Sequence, residues 1–261
     1  MAEAKTAVAH KPVWTDLATS DPEAAREFYG KLFGWKVEVN PDPQYGGYAL
    51  AKVGGKDVAG IGPKQMDEAP TAWTVYIGTH DAEDTVKKAQ AAGGNVIVPT
   101  MAVGDQGKMA IIQDPSGAMI GIWQAQNMTG AQLIEQPNSM GWAELNSRGV
   151  DKAKPFYTKL FNWGEKKTPA QGENPEYTEF QAGGQSIAGA MEMNPMVPAE
   201  VPSYWMVYFN VDNVDKAFKK VTDAGGKEML APQDMPGGRF AIVSDPQGAA
   251  FGLLKMEVPS K

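Results

Sequence analysis

The fold is decided by a stretch that the chain contains twice, Trp14-Thr15-Asp16-Leu17 and Trp142-Ala143-Glu144-Leu145. The two copies lie 128 positions apart (142 minus 14), and the same offset (156 minus 28) relates Phe28-Tyr29 to Phe156-Tyr157. An offset that stays this constant along a sequence is typical of a duplicated domain. The sequence therefore predicts two homologous domains rather than one large domain.

Further matched pairs extend the repeat along the chain. Trp73 corresponds to Trp205 at the largest offset, 132 (205 minus 73), so the loops of the two halves differ only slightly in length. The stretch between the halves contains Gly130 and Pro137 and little apolar periodicity, which favours a linker. The predicted organisation is a first domain over residues 10–126, a linker over 127–137 and a second domain over 138–257.

Within each half, the secondary-structure signals occur in two rounds of the order βαβββ. In the first round, residues 12–19 have strand character, and Ser20 or Asp21 then caps a helix with Pro22 in its first turn. Apolar side chains at helical spacing give this helix one buried face, and Gly34 ends it. Four such modules with short connections predict an α+β fold with mixed sheets and helices on one face. The other predicted helices cover 82–92, 150–161 and 214–224, and one of the short strands covers 95–99.

The composition excludes several functional classes. With 24 Lys and Arg against 31 Asp and Glu, the formal charge of -7 has the wrong sign for neutralising the phosphates of a nucleic acid. The sequence contains no run of about 18 apolar residues, so we expect no membrane partner and a cytoplasmic location. The chain has no cysteine, and its only histidines are His10 and His80. Thiolate chemistry is therefore impossible, and few imidazole-based sites can form.

Three features occur in the same order in both halves. They are the strand-then-helix starts that end in Phe28-Tyr29 and Phe156-Tyr157, the glycine pairs 93–94 and 225–226 after helices, and the Asp-Pro-x-Gly turns at 114–117 and 245–248. Their combination resembles the vicinal oxygen chelate superfamily, which includes glyoxalases, bleomycin-resistance proteins and extradiol dioxygenases. The resemblance covers nearly the whole chain. It implies glyoxalase-like domains in which two βαβββ modules curl into a cup-shaped sheet that holds a divalent metal.

In this family, the metal ligands come from the first and last strands of each module, and the matching positions of this chain lack suitable donors. The first-strand ligand is usually His or Gln and the last-strand ligand is usually Glu. Only the hydroxyl of Thr74 is an oxygen donor here, whereas a hard divalent ion needs several anionic or carbonyl oxygens. We therefore expect neither the family metal nor another cofactor. The matching positions are Trp14, Thr74, Trp142 and Met206 in the first strands, and Gly60, Gly121, Gly189 and Gly252 in the last strands.

The same strands supply a predicted ligand site. Strand alternation places Asp16 on the face of Trp14 and Glu144 on the face of Trp142, and in the other two modules it adds a tyrosine two residues further along. The glycines are expected to leave space beside them, which favours a cavity for a flat or apolar molecule. The predicted ligand-binding residues are Trp14, Gly60, Thr74, Tyr76, Gly121, Trp142, Gly189, Met206, Tyr208 and Gly252.

Asp16 and Glu144 are the candidate catalytic residues. Burying an acid in an apolar strand is costly unless it is hydrogen-bonded or paired, and burial raises the pKa of a carboxyl group toward the range of general acid–base catalysis. The structural alternative is that each acid accepts a hydrogen bond from a backbone amide, a tyrosine or a tryptophan. Likewise, the tryptophans have the alternative role of packing only.

Three functions remain open at this stage. The leading one is a glyoxalase-like or bleomycin-resistance-like protein that binds a small organic molecule in its cups without the family metal. The alternative is a lyase, isomerase or oxidoreductase that uses Asp16 or Glu144 as a base, or an organic cofactor held between the tryptophans. The third is a scaffold whose cups are filled by side chains. Because the duplication already supplies two domains, we expect a monomeric pseudo-dimer whose partner is a small molecule.

Overall fold

A computed structural model describes residues 10–170 and 175–257, and over this part of the chain the order βαβββ occurs four times. The helices are α1 (Pro22–Phe33), α2 (Ala82–Ala91), α3 (Val150–Phe161) and α4 (Val214–Asp223). The strands of the first two modules are β1 (Pro12–Thr19), β2 (Lys36–Val39), β3 (Ala49–Val53), β4 (Lys56–Pro63), β5 (Ala72–Thr79), β6 (Asn95–Val103), β7 (Gly107–Gln113) and β8 (Met119–Ala125). Those of the last two are β9 (Met140–Ser147), β10 (Gly164–Thr168), β11 (Tyr177–Ala182), β12 (Gln185–Glu192), β13 (Tyr204–Asn210), β14 (Lys227–Met235), β15 (Gly238–Ser244) and β16 (Ala250–Met256).

The strands form two mixed eight-stranded sheets of equivalent order. The first is β2-β3-β4-β1-β5-β8-β7-β6, and the second is β10-β11-β12-β9-β13-β16-β15-β14. Within every module, the first and last strands pair in parallel. The remaining pairs within the modules are antiparallel. The predicted α+β fold of four βαβββ modules is therefore confirmed.

The ends of α1 follow from local chemistry. Asp21 is the N-cap, and its Oδ1 accepts a hydrogen bond from the N–H of Ala24 at 3.0 Å. Pro22 occupies the first turn, where its missing N–H costs nothing. Gly34 ends the helix with a left-handed φ of 70°, which glycine adopts without strain. These bounds confirm the prediction for this helix.

The strand predicted over 95–99 is too short. β6 runs from Asn95 to Val103 and continues through Pro99. It lies at the end of its sheet, and its pairing with β7 shifts register twice, between Val96 and Val98 and again between Val98 and Met101. Proline is tolerated at such edge and bulge positions because no ladder hydrogen bond from its nitrogen is required.

The chain divides into two compact units, each of which takes one module from either sequence repeat. Among the described residues, the first unit contains 10–14, 75–130, 143–170 and 175–205, and the second contains 15–74, 131–142 and 206–257. The first unit therefore combines the second and third modules, and the second unit combines the first and fourth. The domain boundaries given above describe the sequence repeat, and they stay a prediction.

In the second unit, one buried tyrosine joins the first module to the fourth. Trp73 Nε1 donates to the hydroxyl oxygen of Tyr29 at 3.0 Å, and this hydroxyl donates to Oδ2 of Asp245, also at 3.0 Å. The other oxygen of Asp245 accepts from the backbone N–H groups of Gln247 and Ala249. Tyr29 and Asp245 are 216 positions apart in sequence, and both are almost fully buried. We call this hydrogen-bonded Trp–Tyr–Asp network the lock of the unit.

The first unit contains the equivalent lock. Trp205 Nε1 donates to the hydroxyl oxygen of Tyr157 at 2.8 Å, and this hydroxyl donates to Oδ2 of Asp114 at 2.9 Å. The backbone N–H groups of Ser116 and Ala118 donate to the other oxygen of Asp114. The Asp-Pro-x-Gly turns therefore shape the chain locally and also supply the acceptor that ties two modules together.

A second pair of hydrogen bonds secures the residues before β1 and β9. Trp163 Nε1 donates to the backbone carbonyl of His10 at 2.6 Å, and Trp35 Nε1 donates to that of Asn138 at 2.7 Å. His10 and Asn138 both have a φ of 62°, a left-handed value that is uncommon outside glycine. Each of these bonds also joins modules from different sequence halves. None of the four described helices is long and apolar enough to cross a membrane.

We expect Tyr29→Phe and Tyr157→Phe each to lower the free energy of unfolding by about 1 to 3 kcal/mol, because each leaves a buried indole N–H and a buried carboxylate short of one partner. Urea unfolding followed by circular dichroism measures the loss. The matched control is Tyr45→Phe, which removes a hydroxyl from a half-buried turn residue. Equal stability of all three variants would contradict the role given to the locks.

Candidate functional site

Each module places one residue of its first strand directly beside a glycine of its last strand. The neighbours of the glycines are two acids and two tyrosines. The residues that match the family's first-strand ligands, Trp14 among them, lie two positions earlier on the same strands. The four register pairs are Asp16 with Gly60, Tyr76 with Gly121, Glu144 with Gly189 and Tyr208 with Gly252.

In the first module, the ring of Tyr48 reaches across two glycines to Asp16. The hydroxyl of Tyr48 donates to Oδ2 of Asp16 at 3.2 Å. A Cβ atom on Gly60 would overlap with the Tyr48 hydroxyl, and one on Gly62 would lie 2.9 Å from the Tyr48 ring. The two glycines therefore make room for the tyrosine that holds the acid.

In the third module, Glu144 is hydrogen-bonded through both carboxylate oxygens. The hydroxyl of Tyr177 donates to Oε2 at 2.8 Å, and Nδ2 of Asn146 donates to Oε1 at 3.3 Å. Glu144 is 7% exposed, whereas Asp16 is half-buried. Two donors on a buried carboxylate restrict its orientation, which is what a residue that positions a ligand or a proton requires.

Tyr204 lies close enough to Glu144 for the carboxylate charge to affect its pKa. It begins β13 and, by strand alternation, shares a face with Met206 and Tyr208. Burial and, to a smaller extent, the negative charge of Glu144 raise the pKa of Tyr204, while the positive charge of Arg148 opposes the shift. At neutral pH its hydroxyl is therefore protonated and available as a hydrogen-bond donor.

The space expected beside the last-strand glycines is occupied by tyrosine rings at three of the four positions. A Cβ atom on Gly121 would overlap with the ring of Tyr76, and one on Gly252 would overlap with the ring of Tyr208. Tyr48 fills the equivalent space at Gly60. These glycines therefore allow aromatic rings to lie flat against the sheet, and they do not leave an open floor.

The four residues aligned with the family's first-strand ligands differ in exposure. Trp14 is 3% exposed and Met206 is 2% exposed, whereas Thr74 and Trp142 are half-buried. Trp142 and Thr74 therefore present more surface than the other two. Their roles in ligand binding stay predictions.

Sequence reasoning missed four residues that lie around the acids. Tyr48 and Tyr177 were detectable as a repeated pair at an offset of 129 (177 minus 48), but sequence does not show that both reach an acid. Asn146 and Tyr204 carried no repeat signal, because the matching positions, 18 and 72, are both alanine.

The donors at these positions do not fit the divalent metal of the vicinal oxygen chelate superfamily. The pairs beside the glycines offer one carboxylate or one phenol in each module, and glycine supplies no side-chain ligand. Among the described residues, no three His, Cys, Asp or Glu side chains lie close enough together to hold a metal ion. A hard divalent ion takes six or more oxygen ligands, several of them anionic or carbonyl.

The profile of the Glyoxalase/Bleomycin resistance protein/Dioxygenase superfamily matches residues 11–122 and again residues 139–253. The chain belongs to this superfamily. A relative in Mycobacterium bovis, CFP32, whose name contains the word glyoxylase, is 40% identical over 250 residues, which cover 94% of each chain. The anthracycline biosynthesis protein DnrV of Streptomyces peucetius is 34% identical over 259 residues, covering 94% of this chain and 93% of its own.

Solved structures of the superfamily share the fold at much lower identity. The Mn(II)-bound glyoxalase from Novosphingobium aromaticivorans superposes with a TM-score of 0.64 at 15% identity, over 97% of this chain and 88% of its own. The 2,3-dioxygenase LapB from Pseudomonas sp. KL28 gives a TM-score of 0.62 at 13% identity, over 97% and 96%. These similarities support the tandem glyoxalase-like architecture and do not extend to the chemistry.

We expect Gly252→Ala to lower the free energy of unfolding by about 1 to 3 kcal/mol, because the added methyl group displaces the Tyr208 ring. In a Tyr208→Ala background the same substitution should lower the free energy of unfolding much less, since the obstructing ring is absent. Urea unfolding of the four proteins of this double-mutant cycle measures the coupling. Additive effects would show that the ring does not lie against the glycine.

We expect Glu144→Gln to lower the pKa of Tyr204 while leaving it above the ordinary tyrosine value, because burial is the larger cause of the shift. The folded protein holds this proton more tightly than the unfolded chain does. The contribution of Tyr204 to stability is therefore fully present at neutral pH and is lost as pH rises through its folded-state pKa. Ultraviolet absorbance of tyrosinate during a pH titration measures the shift, and Tyr204→Phe identifies the transition. An unchanged titration in Glu144→Gln would place the two groups too far apart to interact.

Proposed function

We propose that this protein binds a small organic molecule beside its acid–tyrosine pairs, without a divalent metal. One observation carries the proposal. Two of the four positions beside the last-strand glycines hold carboxylates that are hydrogen-bonded to tyrosine hydroxyls, Asp16 to Tyr48 and Glu144 to Tyr177. The tyrosine hydroxyls hold these carboxylates in fixed orientations, and the neighbouring aromatic rings supply apolar surface.

The names of two relatives suggest the first ligand to test. DnrV is named for anthracycline biosynthesis, and CFP32 is named as a glyoxylase. An anthracycline is a flat fused-ring molecule that carries hydroxyl and carbonyl groups. Such a molecule matches a site that combines aromatic rings with hydrogen-bonding acids, so we propose a planar hydroxylated aromatic as the ligand class.

Tryptophan fluorescence tests this proposal. We expect a soluble anthracycline, daunorubicin, to quench the fluorescence of the full chain with a saturable dependence on concentration. The same affinity should be found after exhaustive treatment with EDTA and after addition of Mn²⁺, because no metal bridges the protein and the ligand. Binding that disappears with EDTA and returns with Mn²⁺ would overturn the metal-free proposal. Quenching that never saturates would overturn the ligand class.

A second candidate function is general acid–base catalysis, and the buried position of Glu144 favours it. A carboxylate that is 7% exposed and fixed through both oxygens is suitable for accepting a proton from a bound molecule. The double variant Asp16→Asn with Glu144→Gln separates the two functions. A binding protein should keep its affinity within about tenfold, since each amide still accepts a hydrogen bond. A catalyst should lose turnover of a chosen substrate by about a hundredfold or more.

A further inference from the structure

Helix α3 carries a buried lysine that faces strand β11. The side chain of Lys154 is only 3% exposed, and its Nζ lies 2.9 Å from Oδ1 of Asp151. The same nitrogen donates to Oε1 of Glu176 and to Oγ1 of Thr178, both at 3.4 Å. Three acceptors thus match the three N–H donors of the ammonium group, which is how a buried charge is tolerated. We call these four residues the lysine clamp.

The two carboxylates of the lysine clamp keep Lys154 charged. Burial lowers the pKa of its ammonium group, but the hydrogen bonds and negative charges of Asp151 and Glu176 more than offset this effect, so the pKa lies above its ordinary value. The group is therefore protonated at neutral pH. The side chains of Asp151 and Glu176 are 85% and 51% exposed, so water can solvate both acids when the lysine is replaced.

Two of the three acceptors flank Tyr177 in the sequence. Thr178 lies on the face of β11 that packs on α3, because Lys154 of that helix reaches its hydroxyl. Side chains alternate along a strand, so Tyr177 lies on the opposite face, where its hydroxyl donates to Glu144. By binding Glu176 and Thr178, Lys154 holds the residues on both sides of Tyr177 from the other face of the sheet.

The first repeat lacks this arrangement. The positions that match the two residues flanking Tyr177 hold glycine and alanine, which offer no side-chain acceptor to the matching arginine. The bond from tyrosine to acid is also longer there, at 3.2 Å against 2.8 Å. The lysine clamp and the shorter bond therefore occur in the same repeat. The matching pairs are Lys154 and Arg26 (154 minus 26 is 128), Glu176 and Gly47 (176 minus 47 is 129), and Thr178 and Ala49 (178 minus 49 is 129).

We propose that Lys154 is a positioning residue, which fixes the start of β11 so that the Tyr177 hydroxyl stays directed at the Glu144 carboxylate. This inference deepens the proposed function and rests on it for the ligand, since Tyr177 and Glu144 form one of the two acid–tyrosine pairs. The lysine acts from the opposite face of the sheet and does not touch the ligand. Support of this kind, behind the residues that make contact, keeps a binding site in one geometry.

The first test needs no ligand. Urea unfolding of Tyr177→Phe, Glu144→Gln, their double variant and the unmodified chain gives the coupling energy between the two side chains. We expect this coupling to fall by about half or more when the cycle is repeated in a Lys154→Met background. Lys154→Arg should keep most of it, because the equivalent helix position already carries an arginine in the first repeat. A lysine with only a structural role would lower the stability of all four proteins equally, and an unchanged coupling would overturn the inference.

A second variant covers the case in which Lys154→Met does not fold. Thr178→Ala keeps the lysine charge and its two carboxylate partners, and it installs the residue that the first repeat has at this position. It removes one of the two contacts that flank Tyr177, so the coupling between Tyr177 and Glu144 should fall in the same direction. A coupling that Thr178→Ala leaves unchanged would count against the lysine clamp.

Arg26→Met in the first repeat is the matched control. The coupling between Tyr48→Phe and Asp16→Asn should be the same with and without this substitution. The residues flanking Tyr48 offer the arginine no side-chain acceptor. An equal loss of coupling in the two repeats would show that the helix residue acts through general packing, and it would overturn the role given to the lysine clamp.

Binding of daunorubicin is the second readout. We expect Lys154→Met to weaken binding at the Tyr177–Glu144 pair by about three- to tenfold, and to have little effect in a Tyr177→Phe background. An equal effect in both backgrounds would show that Lys154 does not act through Tyr177, and the inference would be wrong. If daunorubicin does not bind the unmodified chain, the proposed function fails, while the ligand-free cycle still decides the role of Lys154.

Discussion

A tyrosine hydroxyl buried between an indole and a carboxylate is the interaction on which each compact unit depends. Tyr29 and Tyr157 each accept one hydrogen bond and donate another, and their partners come from different modules. Because a buried hydroxyl without partners is costly, the three groups must come together or all remain unpaired. The Tyr–Asp bond of each lock joins one pair of modules, the first with the fourth and the third with the second, and the lock tryptophan comes from the first strand of a further module.

The locks also determine which face of each strand is left for function. Trp73 and Trp205 point to the helices, where they donate to the lock tyrosines. Since side chains alternate along a strand, the residues on either side of each tryptophan belong to the other face. That face carries Tyr204 in the fourth module. The same tryptophans that stabilise a unit thus orient the strand that supplies the candidate site.

Only part of the candidate site was accessible from the sequence. Asp16 and Glu144 stood out because an acid is unusual within an apolar strand, and the structure places both beside glycines. Tyr48 and Tyr177 repeat in the sequence, but a tyrosine near the start of a strand has many possible partners, and only the paired strands bring its hydroxyl to the acid. The small size of the last-strand glycines is evident from the sequence, whereas the rings of Tyr48, Tyr76 and Tyr208 reach the space beside them only in the folded sheets.

The sequence by itself determined the duplication, the order of the elements, the ends of α1 and the superfamily, because these depend on local periodicity, capping residues and repeated spacing. The tertiary structure decided which modules share a compact unit and which donors reach each acid. These features depend on contacts between residues up to 216 positions apart, as for Tyr29 and Asp245. No local pattern encodes such a pairing, because it is selected by the joint burial of polar groups that only the folded chain brings together.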